Sequence, residues 1–175
     1  MNNNQKIRTV IPEPLTEEGF APFGKAILRP KQDESLTKTG THWECWFGEE
    51  DLTPGKNTLG IVTTRWTNEA INVMEAHSTR ELLIPLDKPI IQAVAPLADM
   101  DDINTKPDLN SVRAFILEPG QSIMMEIGTW HYAAMPYDGE SIYYFVTNRE
   151  STDPGGTPNR WIEFENDQAF ILQGR

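Results

Sequence analysis

The sequence predicts an all-β fold, a barrel or sandwich, with one short helix near the N-terminus. Three observations carry that prediction. Short β-branched or aromatic runs such as "TLGIVTTRW", "VRAFIL" and "SIYYFVT" recur along the chain. Their spacing, roughly eight to twelve residues in the C-terminal half, is that of barrels and sandwiches. The separators "EPG", "GT" and "PYDGE" are rich in turn formers. Finally, 175 residues fit one domain whose core can be stable without covalent staples.

The elements follow in order. Residues 1–14 read as a loose arm, and "LTEEGFAPFG" (15–24) as a short helix closing in a turn. "KAILRP" is a brief strand and residues 31–41 a polar loop. "HWECWFG" (42–48) alternates enough to be a strand, and 58–66 is strand-like. Residues 67–86 admit two readings. Ile71, Met74 and the Leu82–Leu83 pair recur at helical spacing. The same residues also fit a strand, a tight turn at "HSTRE" and a second strand ending at Pro85. Strands are expected at "IIQAVAPL", 112–117, 121–127, 130–134 and 141–147, with an acidic loop over 98–110. The barrel would span 15–150, and residues 151–175 would extend it, with "WIEFE" adding an edge strand.

Charge narrows the function. Asp and Glu number 26 against 15 Lys and Arg, a net charge of −11. Such a chain repels phosphate backbones and anionic lipid, so nucleic-acid or membrane binding is not expected. No run approaches the roughly eighteen apolar residues of a membrane span, and the opening "MNNNQKIRTVIPEP" has no signal-peptide core. Cys45 is the one cysteine, so no internal disulfide can form. A cytoplasmic protein is expected.

"PGQSIMMEIGTWHYAAM" (119–135) carries the chemistry. Gly120 is followed by five residues, then Glu126, Ile127 and Gly128, then two residues and His131. Pro119-Gly120 would close a hairpin, and Gly128 permits a turn at positive φ. This spacing resembles the second signature of the cupin superfamily, with Glu126 for its proline and Met135 for its asparagine. "EAHSTRELLIPLDK" (75–88) resembles the first signature, with Glu75 and His77 at its histidine positions, Glu81 at its acidic one and Lys88 at its last glycine. The resemblance implies a cupin-type double-stranded β-helix, or jelly roll. In it, Glu75, His77, Glu81 and His131 converge, since residues two apart on a strand share a face. Two imidazoles and two carboxylates suit Ni²⁺, Mn²⁺, Fe²⁺ or Zn²⁺. The bland alternative is an exposed His77–Glu81 helix pair and a core histidine at 131.

"EAHSTRELLIPLDKPIIQAVAP", "KPDLNSVRAFILEPGQSIMMEIGTWHYAAMP", the N-terminal "GFAPFG" and the strand ending in Arg65 together resemble the ureidoglycolate lyase family over most of residues 15–148. The tryptophan-rich "THWECWFG" and the tail beyond 150 depart from it. The resemblance implies a homodimeric β-barrel that splits ureidoglycolate into glyoxylate and urea in purine breakdown, with nickel as an associated cofactor. Such chemistry needs a proton carrier, for which Glu126 and His42 are candidates. The substrate carboxylate wants a guanidinium, from Arg65 or Arg113. Trp43 could wall the pocket, although core or dimer packing would explain it equally. Two rival readings keep the barrel: a metal-dependent isomerase or lyase of a sugar acid, and a non-catalytic protein binding a small acid.

Overall fold

The computed structural model describes residues 6–29, 38–42, 44–45, 57–97, 99–102, 104–148 and 160–174. Its strands begin with β1 (Ile7–Val10), β2 (Glu13–Pro14), β3 (Gly24–Ile27), β4 (Lys38–Thr39), β5 (Glu44–Cys45) and β6 (Asn57–Arg65). The middle of the chain gives β7 (Val73–Ala76), β8 (Glu81–Pro85), β9 (Ile90–Ala95), β10 (Arg113–Leu117) and β11 (Ser122–Met125). Then come β12 (Trp130–His131), β13 (Met135–Pro136), β14 (Glu140–Asn148), β15 (Arg160–Glu163) and β16 (Ala169–Leu172). Helix α1 (Glu17–Phe20) is a single turn. Thr16 caps it, its hydroxyl accepting the Gly19 N–H at 3.0 Å. Its purpose in the packing is Phe20, which is fully buried against Phe115 with ring centroids 5.3 Å apart.

Two sheets face each other. The larger runs β15-β7-β12-β9-β10-β2, with β13 also on β9, and the smaller runs β3-β11-β8-β14-β6. The chain passes repeatedly between them: β7 in the first, β8 in the second, β9 and β10 in the first, β11 in the second, β12 in the first. That alternation is the double-stranded β-helix expected from the sequence. Between the sheets lies one apolar cluster, which includes Phe20, Phe23, Leu83, Val94, Phe115, Ile123 and Tyr143. A second cluster, with Met74, Ile91, Ala93, Trp130, Phe164 and Phe170, packs on the other face of the larger sheet.

That second cluster explains the ends of the chain. β1 pairs parallel with β16, and Phe170 bridges to Ile71, so the ribbon covers an otherwise exposed apolar sheet face. Residues 7–10 of the N-terminal arm are therefore ordered by pairing. Val10 and Leu172 join the cluster they cover. β15 lies at the edge of the larger sheet beside β7, the place expected for "WIEFE".

The structure resolves the ambiguity at 67–86 in favour of strand, turn, strand. Met74 through His77 are all buried. Met74 and Ala76 face the outer apolar cluster, while Glu75 and His77 line the space between the sheets. A strand covered on both faces loses the polar alternation that marks strands in sequence. Ile71 and Met74 keep helical spacing only because one makes a bridge and the other lies in β7.

Candidate metal centre

The two stretches singled out in the sequence meet through their backbones. His131 on β12 stands opposite Glu75 on β7 in antiparallel register. Gly128, at φ +78°, turns the chain into β12 and donates its N–H to the His77 carbonyl at 2.9 Å. The adjacent Thr129 hydroxyl donates to the Phe23 carbonyl at 2.8 Å. Trp130 then fills the outer cluster, and strand alternation sends His131 inward.

Four side chains converge there. His77 Nε2 lies 3.2 Å from Glu81 Oε2 and 3.8 Å from Glu75 Oε2. His131 Nε2 lies 3.7 Å from Glu75 Oε1, and the two imidazole centroids are 4.8 Å apart. Glu75, His77 and His131 each offer a ligand atom within 4.8 Å of the others, and all three are buried. Glu81 stands beside this trio through its contact with His77. The exposed-helix alternative for His77 and Glu81 does not hold, because His77 is 7% exposed at the end of a strand.

Burial sets the electrostatics of the cluster. Burial holds the His131 pKa down to about 4, against the opposing charge of Glu81 and with the help of His77, so its imidazole is neutral at neutral pH. Burial pushes the Glu81 carboxyl up, but its hydrogen bond to His77, with the two imidazoles close by, outweighs that and leaves it below the usual range. Buried charges cost several kcal/mol each unless they are compensated. Carboxylate oxygens beside a neutral imidazole are the donor types that a divalent ion takes. His131 Nδ1 lies 2.9 Å from the Thr129 carbonyl, so Nδ1 carries the hydrogen. Nε2 is then a lone pair, buried and without a hydrogen-bond partner in the protein. This is how a ligating histidine is usually oriented, so the residues present fit a divalent metal.

The centre lines a cavity of about 230 Å³ between the sheets. Val62, Leu83, Ala134 and Phe145 form apolar walls, with Gln92, Thr147, Tyr132 and Tyr143 as further polar groups. Burial raises the Tyr143 phenol well above its ordinary value. The charges of Glu81 and Glu75 push the same way, and a backbone hydrogen bond from Ala134 opposes them. Tyr143 is therefore a hydrogen-bond donor rather than a base. Neither Gln92 nor Tyr143 stood out in the sequence. Gln92 could have, as the single polar side chain in "IIQAVA".

The remaining sequence candidates stand elsewhere. Glu126 forms an ion pair with Arg80, Oε1 to an Arg80 terminal nitrogen at 2.9 Å and Oε2 to Arg80 Nε at 3.0 Å, and does not line the cavity. His42 is exposed near β5. Arg65 is 75% exposed and pairs with Glu140 at 2.7 Å, because the end of β6 faces solvent. Arg113 binds Glu13 at 2.8 Å and the Gly19 carbonyl at 2.8 Å, and lies over the Phe115 ring. Its neighbours Ala114 and Phe115 occupy the two buried faces of β10, which leaves Arg113 to clamp the helix to the sheet. Among the described residues lining the cavity there is no arginine or lysine. Trp43 lies outside the described residues.

A buried carboxylate–imidazole cluster inside a double-stranded β-helix defines a cupin-type barrel with a donor set for a divalent ion. A family model described as ureidoglycolate lyase matches residues 7–163. The chain belongs to the ureidoglycolate lyase family. A ureidoglycolate lyase from Pseudomonas fluorescens (strain SBW25) is 30% identical, covering 95% of this chain and 98% of its own. One from strain Pf0-1 is 28% identical with the same coverage. Among solved structures, RmlC from Streptococcus suis in complex with dTDP-D-xylose overlaps 67% of this chain and 61% of its own, at a TM-score of 0.40 and 11% identity.

Proposed function

We propose that this protein is a lyase that splits ureidoglycolate into glyoxylate and urea, assisted by a divalent ion. The observation that carries the reading is the convergence of Glu75, His77, Glu81 and His131 within a chain of this family. In ureidoglycolate one carbon bears a hydroxyl, a carboxylate and a ureido nitrogen. Cleavage removes the hydroxyl proton, forms the carbonyl, breaks the C–N bond and protonates the departing nitrogen.

Glu75, His77 and His131, with Glu81 alongside, would hold the ion, nickel on the family resemblance and manganese, iron or zinc by the same donor chemistry. When bound, it supplies a Lewis acid for the hydroxyl and carboxylate oxygens. The chain's own residues do the rest. Glu81, ionised at neutral pH, takes the hydroxyl proton and returns it to the nitrogen that leaves with the C–N electron pair. Its carboxylate is thereby regenerated. Tyr143 keeps its hydrogen and donates it to an anionic oxygen of the substrate. Val62, Leu83, Ala134 and Phe145 give the substrate carbon skeleton an apolar surface to pack on. Since Glu126 and His42 do not line the cavity, Glu81 takes the proton-carrying role expected of them.

On the same family reading the protein acts as a cytoplasmic homodimer in purine breakdown. The test is urea release from racemic ureidoglycolate before and after chelation. Activity lost on chelation and restored by nickel or manganese is the expected result. Bound metal without urea release would instead favour an isomerase or lyase of a sugar acid. Neither metal nor turnover, with added metal failing to help, would favour a binding protein.

A further inference from the structure

Gln92 is fully buried on β9, whose other inward-facing residues, Ile90 and Val94, belong to the apolar cluster between the sheets. Its amide nitrogen donates to the Tyr132 carbonyl at 2.7 Å and to the Ala93 carbonyl at 2.9 Å. Both amide hydrogens are thus used. A flipped amide would set its oxygen against two carbonyl oxygens, so the orientation is fixed. The consequence falls on Oε1, which is buried and has no hydrogen-bond partner in the protein. Gln92 lines the same cavity as the metal centre. A buried acceptor left unsatisfied is unfavourable, and a ligand donor would satisfy it.

We propose that Gln92 selects the nitrogen half of the substrate, its Oε1 accepting a hydrogen bond from a ureido N–H. The inference rests on the lyase reading for the identity of the substrate. Chemically the division is clear. Metal ligands and the Tyr143 hydroxyl suit the oxygen-bearing carbon, whereas a fixed amide oxygen accepts only from a donor. A ureido group presents N–H donors to it, whereas the carbon isostere of that group presents none. Gln92 touches substrate at the leaving group and so also fixes the direction in which the C–N bond points.

Two inert ligands of one skeleton separate this role from a structural one. Ureidoacetate keeps the carboxylate and the ureido group but lacks the hydroxyl. Levulinate has the same heavy-atom outline with carbon in place of both nitrogens. Calorimetric titration of the purified protein should show ureidoacetate binding about tenfold or more tightly than levulinate. In Gln92→Met, which keeps the length of the side chain, the ratio should fall towards one while levulinate affinity and metal content stay near wild type. Equal affinities in the wild type overturn the proposal, and this arm does not depend on the variant folding. An unchanged ratio in folded Gln92→Met, parallel loss of both ligands, or loss of metal would overturn it too. Urea release by the wild type tests the lyase reading separately. A wild type without turnover that still prefers ureidoacetate defeats that reading and keeps Gln92 as the selector of N–H donors.

Discussion

His131 Nδ1 lies 2.9 Å from the carbonyl oxygen of Thr129, two residues earlier in the chain. That single contact decides what the ring can do. With Nδ1–H engaged by the backbone, Nε2 presents a lone pair 3.7 Å from Glu75. A core histidine satisfied at both nitrogens would have no such free acceptor.

The first prediction follows for the imidazole itself. Nitrogen-15 spectra of labelled protein should show His131 as the Nδ1–H tautomer at neutral pH. An Nε2–H tautomer in metal-free protein would remove the lone pair from the site and with it the ligand role.

Substitution at the centre should separate chemistry from folding. Losing a group that only orients a metal ligand costs about 10–100-fold, so removing the ligand in His131→Ala should lower urea release by more than about a hundredfold. The circular dichroism spectrum should remain that of a β-barrel. Full activity in the folded variant would mean the site is elsewhere.

Glu126→Gln makes the opposite prediction. Its partner Arg80 and Glu126 itself are about a third exposed, at 34% and 39%. Such pairs contribute about 0–1 kcal/mol, so stability should change little and turnover should stay within about twofold. A large drop in kcat with an unchanged melting temperature would restore Glu126 as a proton carrier.

These contrasts show what the sequence could disclose. The convergence of Glu75, His77 and His131 was legible through the resemblance of two short motifs to cupin signatures, and it holds because residues 73–76 form a strand rather than a helix. Arg65 and Arg113 were not separable from true cavity residues, since a strand sequence does not say which face turns inward. β10 has both faces buried, and Arg113 finds its partners on α1 and β2 only after the chain has folded. Gln92 was missed for a related reason. In a strand hidden on both sides, one glutamine reads as an interruption, and its meaning depends on carbonyls supplied by β9 and by Tyr132.

pH should act through Asp87, outside the site. Its carboxylate accepts the Ile142 N–H at 2.8 Å and the Ser141 hydroxyl at 2.9 Å, joining the end of β8 to β14. The backbone bond from Ile142, then that from Ser141, holds the carboxyl below its usual range. A depressed folded pKa adds stability above the unfolded value, about 3.9, and that stability is lost as pH falls through the folded value. Melting temperatures of wild type and Asp87→Ala should therefore differ at neutral pH and converge in acid. A gap that persisted unchanged well below pH ~3 would show that ionisation is not involved.

Gly24 has no room for a side chain. It sits at φ +149°, and a Cβ there would run into the Met124 carbonyl of β11. Gly24→Ala should cost about 1–3 kcal/mol, read as a shift in the denaturant midpoint. A neutral outcome would mean that β3 and β11 can part without penalty.

The central claim is that the buried carboxylates and imidazoles form a working metal centre. The most direct measurement is the metal content of wild type and His131→Ala after identical loading with nickel, set beside urea release from the same samples. We expect about one ion per chain in the wild type, with activity in proportion to occupancy, and loss of both in the variant. Full urea release from metal-free wild-type protein would contradict the account.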